Sequence, residues 1–168
     1  MSQVLILAVG QRPPGWVSTA CSDYLGRFGR RLTVELKEIP PARRSGAQRT
    51  AALAQEDARL MAALPGSAFP VLLDSRGQMF DSERLAQALS GWLAQGGPLA
   101  LVIGGADGFG PAMRERAQAS WSLSPLTFPH MLARVVVLEQ LYRAFSLCFV
   151  CIEFFVNGCL LSIGSAIY

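Results

Sequence analysis

The sequence predicts a single α/β domain, a parallel sheet covered by helices on both faces. Three observations carry this. The runs VLILAV (residues 4–9), FPVLLD (69–74) and PLALVIGG (98–105) are apolar without alternation, the pattern of strands buried on both sides. Segments of helical periodicity stand between them, which gives the β-α alternation of a covered parallel sheet. The chain has 168 residues, 51% hydrophobic and 16% charged, enough for one well-buried core and too short for two. It shows no internal repeat and no low-complexity tract.

Taken in order, VLILAV ends at Gly10, and after the turn residues PPG the segment from Trp16 to Phe28 spaces Trp16, Ala20, Tyr24 and Phe28 four apart, one apolar helix face. LTVELKEI (32–39) alternates apolar and polar residues, so it reads as a half-exposed strand stopped by Pro40 and Pro41. PPARRSG is loop-like. Ala47 to Leu64 reads as an alanine-rich helix with Leu53, Leu60 and Leu64 on one side, ended by Pro65 and Gly66.

FPVLLD follows as a buried strand, and SRGQ reads as a turn. Asp81 and Ser82 offer an N-cap for a helix through Trp92 and Leu93, closed by Gly96 and Gly97. After PLALVIGG, Pro111 at a first helical position opens a helix through about Ala119. SLSPLTF (122–128) reads as extended, and a long helix starts at His130.

Composition narrows the function classes. The net charge of +3 comes almost wholly from arginine, since Lys37 is the only lysine. Arginine pairs bidentately with phosphates and stacks on bases, so a phosphate-bearing partner fits. Arg30 and Arg31, then Arg43, Arg44 and Arg49, form two basic clusters that also fit an ordinary solvated face. The opening MSQVLILAVG lacks a basic n-region and a small-residue cleavage site. It reads as a strand and not a signal peptide, which places the chain in the cytoplasm. Cys148 and Cys151 make a CxxC, but with no second pair or nearby histidine a zinc site is not expected.

The stretch LVIGGADGFG (101–110) breaks from strand into glycines before a helix. It matches neither GxGxxG nor GxxxxGK[ST], which removes dinucleotide and P-loop readings. What remains is a turn at a strand's carboxyl edge, either an ordinary tight connection or one whose exposed backbone groups hold a polar ligand.

The succession FPVLLDSRG, LVIGGADGFG and SWSLSPLTFPHMLARVVVLEQLYRA, with VLILAVG, WVSTACSDYLGRF and ELKEIP before it, resembles the SPOUT-class large-subunit ribosomal RNA pseudouridine methyltransferases, the RlmH family. The resemblance covers about residues 4 to 147. It implies a trefoil knot threaded into the carboxyl-terminal part of the sheet, and S-adenosylmethionine bent in that knot and held largely by backbone groups. The positions it implies for the cofactor are Leu73, Gly104, Gly105, Leu123, Ser124, Pro125, Leu126, Thr127 and Phe128. Glycines at 104 and 105 would let backbone approach the ligand closely, and the leucines would line an adenine slot or simply pack the core.

The implied reaction is methylation of N3 of a pseudouridine in large-subunit ribosomal RNA, in a homodimer whose RNA pocket the partner chain completes. It needs no metal. Because an imide nitrogen is protonated at neutral pH, something must take its proton. His130 is the only histidine; it suits proton transfer, although the positive end of its helix disfavours the charged form, and it fits equally a helix-start residue bonding backbone. Arg143 belongs to the LYRA motif that the resemblance places near the active site, while Glu139 four residues earlier offers it a surface partner. Val135, Val136, Leu138 and Leu141 suit either a dimer interface or the domain's own core.

The end of the chain departs from the family, whose short polar tail supplies histidine, tyrosine and arginine. After Leu147 this sequence reads CFVCIEFFVNGCLLSIGSAIY. We divide the chain accordingly into a methyltransferase domain, 1–147, and an apolar tail, 148–168. The stretch from Leu147 to Ile167 approaches the length of a bilayer span, though Glu153, Asn157 and two glycines weaken that reading. The others are an added element packed on the dimer and an appendage standing where the polar tail has been replaced. The functional alternative to an active methyltransferase is a non-catalytic RNA- or ribosome-binding homologue that keeps the cofactor pocket.

Overall fold

A computed structural model describes residues 2–30, 32–43 and 49–157, with 149–157 as helical backbone. Ten elements alternate: β1 (Ser2–Val9), α1 (Gly15–Arg27), β2 (Leu32–Ile39), α2 (Arg49–Ala63), β3 (Phe69–Met79), α3 (Ser82–Leu93), β4 (Leu99–Ile103), α4 (Pro111–Arg116), β5 (Ala119–Ser122) and α5 (His130–Asn157). The five strands form one sheet in the order β2-β1-β4-β3-β5, and every ladder in it is parallel.

The unbroken apolar runs have the expected cause. Along β1, Val4, Ile6 and Ala8 pack with Leu99, Leu101 and Ile103 of β4 beneath α1, α3 and α5. Leu5, Leu7 and Val9 point the other way and pack with Leu72 and Val102 against Leu60 of α2 and Met113 of α4. A strand's side chains alternate between faces, so two covered faces require apolar residues at every position. Full burial of each such side chain stabilises by about 1.5–3 kcal/mol. The edge strand β2 keeps the predicted alternation, with buried ends and more exposed residues between them.

Two boundaries differ from the sequence reading. SRGQ is not a short turn: β3 runs on to Met79, and its ladder with β5 pairs Trp121 first with Leu73 and again with Gln78. Residues 74–77 leave the ladder and return to the same strand. A Cβ on Gly77 would stand 2.7 Å from backbone atoms of both Ser120 and Trp121, so the two backbones touch there. The helix opened by Pro111 stops at Arg116, not near Ala119, because Gln118 donates its amide to Pro70 O at 2.9 Å and the chain joins β3 as β5. Tertiary pairing overrode local helix preference.

Residues 123–128 consequently form a loop beyond β5 and not an extended element. The long last helix begins at His130 as predicted. Leu138 and Leu141 are buried in the core and Val135 and Val136 half-buried, so much of its apolar stripe faces its own domain. Leu147 and Cys148 still pack on that core, with the Cys148 thiol 3.1 Å from Ala86 O, and the helix crosses the 147/148 boundary unbroken to Asn157. Among the described residues no helix is long and apolar enough to cross a membrane. Residues 158–168, to which the tail readings extend, lie outside the described residues.

Candidate active site

Parallel strands deliver their loops to one edge, and here three converge at the carboxyl ends of β3, β4 and β5. Leu73 and Ile103 end their strands, residues 104–109 turn back, residues 122–128 cross over, and His130 and Ala133 close the far wall. They enclose a cavity of about 620 Å³, within the range of small-molecule and cofactor sites. Of the residues implied for the cofactor, Leu73, Gly104, Gly105, Leu123, Ser124, Leu126, Thr127 and Phe128 line it. Pro125 is exposed and stands outside the wall.

The crossing loop is shaped by its own hydroxyls. Ser122 Oγ donates to Ser124 O at 3.1 Å, and Ser124 Oγ accepts from the Leu126 amide at 3.0 Å. Leu126 is left 72% exposed at the cavity mouth. Ser/Thr turns of this kind fix a loop without a secondary-structure ladder.

Both glycines of this loop, which line the cavity, also stand against the protein's own atoms. A Cβ on Gly104 would lie 2.8 Å from Gly108 O, and one on Gly105 would lie 2.6 Å from Glu56 Oε2. The protein itself fills the space that a side chain would need. Gly108, at φ +79°, completes the return, its amide donating to Gly105 O at 3.0 Å.

Charge at the site was not read from the sequence. Asp74, at the end of the regular part of β3, meets Arg114 of α4 at 2.7 Å and accepts from the Arg76 amide at 3.0 Å; all three line the cavity. Burial opposes ionisation of this carboxyl, but the Arg76 amide and the Arg114 guanidinium outweigh it and hold its pKa below the ordinary 3.8. A folded-state pKa below the unfolded one stabilises above pH 3.8 and is lost as pH falls through the folded value. Asp74→Asn should therefore flatten the loss of stability below about pH 4, measured by denaturant unfolding across pH; an unchanged acid limb would show the pair to be idle.

His130 heads α5 on the cavity wall and lies over Gly10, where a Cβ would come within 3.1 Å of His130 Nε2 and 2.8 Å of Arg134 Nη2. Gly10 has φ +124°, a conformation that itself demands glycine. Arg134, only 1% exposed, donates to Gly10 O at 2.8 Å and Val9 O at 3.3 Å and meets Glu38 at 3.2 Å. The head of α5 is thus fastened to the end of β1. Arg143 lies about two and a half turns beyond Arg134, away from the cavity, and donates from both Nε (3.0 Å) and Nη2 (2.5 Å) to Glu139 Oε1. Within one chain the structure brings His130 to the site and leaves Arg143 outside it.

The sequence as a whole has close relatives. A family model described as a predicted SPOUT methyltransferase matches residues 2–149. The chain belongs to this SPOUT methyltransferase family. Curated relatives called ribosomal RNA large subunit methyltransferase H occur in Alkalilimnicola ehrlichii (48% identical), Ralstonia nicotianae (47%) and Chromobacterium violaceum (45%). Each similarity runs over 146 residues, 86% of this chain and 94% of the relative.

Membership of the SPOUT family implies a trefoil knot, an exception to the usual absence of knots in proteins. SPOUT methyltransferases of this type use S-adenosylmethionine as methyl donor. The cavity suits it: Leu73, Ile103, Trp121 and Phe128 offer apolar surface, backbone groups of two loops stand at its edge, and Asp74 and Arg114 add one charge of each sign.

Proposed function

We propose that this SPOUT methyltransferase transfers the methyl group of S-adenosylmethionine to N3 of a pseudouridine in large-subunit ribosomal RNA, in the cytoplasm and as a homodimer. The observation that carries the reading is the meeting of Leu73, Gly104, Gly105, Leu123, Ser124, Leu126, Thr127 and Phe128 around one cavity at the sheet's carboxyl edge, in a chain 45–48% identical to relatives named for ribosomal RNA methylation.

When bound, S-adenosylmethionine supplies an electrophilic methyl group on sulfur, a good leaving group that needs no proton. The protein's task is alignment, worth about 7–11 kcal/mol in the best intramolecular models. The loops 104–108 and 122–128 would hold the donor through backbone groups, with Leu73 and Phe128 against its apolar part. His130, on the cavity wall, would take the imide proton of the acceptor. Arg143, outside its own cavity, would face RNA phosphate from across the dimer.

One observation favours a second reading, a ribosome- or RNA-binding homologue without turnover. The family match ends at residue 149, and beyond Leu147 the sequence has no histidine, lysine or arginine. We accordingly keep 1–147 as the methyltransferase domain and 148–168 as an apolar appendage that replaces groups expected near the substrate. Incubating the full chain with labelled S-adenosylmethionine and ribosomes lacking the modification tests both. Transfer of label to a single pseudouridine is expected; calorimetric binding of the donor without transfer would favour the second reading, and absence of binding by a folded chain would defeat both.

A further inference from the structure

Two adjacent acidic residues in the middle of α2, Glu56 and Asp57, are 2% and 3% exposed. The proposed chemistry uses neither, and burial of carboxylates is costly unless they are hydrogen-bonded. Both accept from backbone amides. Asp57 Oδ1 accepts from the Gly110 amide and Oδ2 from the Met113 amide, each at 3.0 Å. The short helix α4 has no cap from its own N-cap residue, Gly110. Asp57 supplies that cap from another helix, and a Cβ on Gly110 would stand 2.5 Å from its Oδ2. Glu56 Oε1 accepts from the Ala42 amide at 3.0 Å while Oε2 fills the space beside Gly105. Arg49 at the start of α2 meets Asp107 at 3.0 Å.

One helix therefore touches the glycine loop at Gly105, Asp107 and Gly110, along its whole course from β4 to α4. We infer that Glu56 and Asp57 are positioning residues for the methyl donor: they hold the glycine loop in the shape that bounds the cavity, without touching the donor themselves. The inference rests on the reading that this cavity takes S-adenosylmethionine. A carboxylate is required because it only accepts; an amide at position 57 must aim its NH₂ group at one of two N–H donors.

The test is calorimetric titration of S-adenosylmethionine into the full chain and into Asp57→Asn, Glu56→Gln and Val17→Ala variants, with thermal unfolding and amide hydrogen exchange of each. Val17, buried on α1 across the sheet, is the control for general destabilisation. Asp57→Asn should weaken donor binding about tenfold, the scale of one lost charge-assisted hydrogen bond, and speed exchange at Gly110 and Met113. Glu56→Gln should weaken binding less, and it carries the test if the first variant does not fold. Val17→Ala should lower the melting temperature and leave affinity unchanged.

Unchanged affinity in both acidic variants would overturn the inference, as would affinity loss that tracks melting temperature through Val17→Ala. If the unaltered chain binds no donor, the cofactor reading itself falls and takes this one with it.

Discussion

Replacing Gly77 by alanine is expected to lower stability by about 3 kcal/mol and to abolish or greatly weaken binding of S-adenosylmethionine. The added Cβ would lie 2.7 Å from the carbonyl carbons of Ser120 and Trp121 and the nitrogen of Trp121. None of these is the end of a flexible side chain, so relief requires one backbone to move off the other. Overpacking in a well-packed site costs about 1–3 kcal/mol even where side chains can adjust, and here they cannot. The displaced segments, Asp74–Arg76 and Trp121–Ser122, both line the cavity. Denaturant unfolding and calorimetry together measure this; a Gly77→Ala chain of full stability and normal affinity would mean that the passage of β3 past β5 is looser than described.

The second large effect is expected at Arg134. Arg134→Ala removes a fully buried side chain and strands the carbonyls of Val9 and Gly10, for a cost of about 3–5 kcal/mol. Arg134→Met keeps most of the apolar stem and should recover part of that loss. Among the described residues the Nε of Arg134 has no hydrogen-bond partner, so burying this guanidinium carries its own penalty, and the terminal nitrogens must account for its retention. Because His130 lies one turn earlier on the same helix and over the same glycine, methyl transfer should fall further than donor binding in both variants. Equal stability of the Ala variant and the unaltered chain, by denaturant midpoint, would remove Arg134 as the fastening of α5 to β1.

These positions differ in how far the sequence announced them. The doubly buried strands were legible because a residue's face in a strand is a local property: residues 4–9 of β1, 69–73 of β3 and all of β4 read as apolar at every step, and two covered faces are the only way to satisfy that. The helix starts at Pro111 and Asp81 were legible for the same reason, since capping chemistry acts within one turn; Asp81 Oδ1 does accept from the Arg84 amide, at 2.8 Å. That the loops at 104–109 and 122–128 would line one cavity was expected only through family resemblance, because loops that meet through their backbone leave little trace in side-chain type.

The failures have one cause. SRGQ looks like a turn in isolation, but Gly77 answers to β5, more than forty residues away in the chain. Residues 117–119 would continue a helix if β3 did not offer an unpaired edge. Glu56 and Asp57 pass for the solvated side of an alanine-rich helix until the amides of Ala42, Gly110 and Met113 are found opposite them. Gly104 and Gly105, both on the cavity wall, also make room for Gly108 and Glu56, and the second of these neighbours comes from a distant helix.

By itself, then, the sequence determined the alternation of elements, the doubly covered parallel sheet and membership of a knotted methyltransferase family. Only the tertiary structure decided what the glycines are for, where the buried charges go, and that His130 but not Arg143 reaches the cavity of its own chain. Periodicity records whether a side chain meets water. It carries no record of which distant backbone the chain passes on its way, and at this site those passages set the shape.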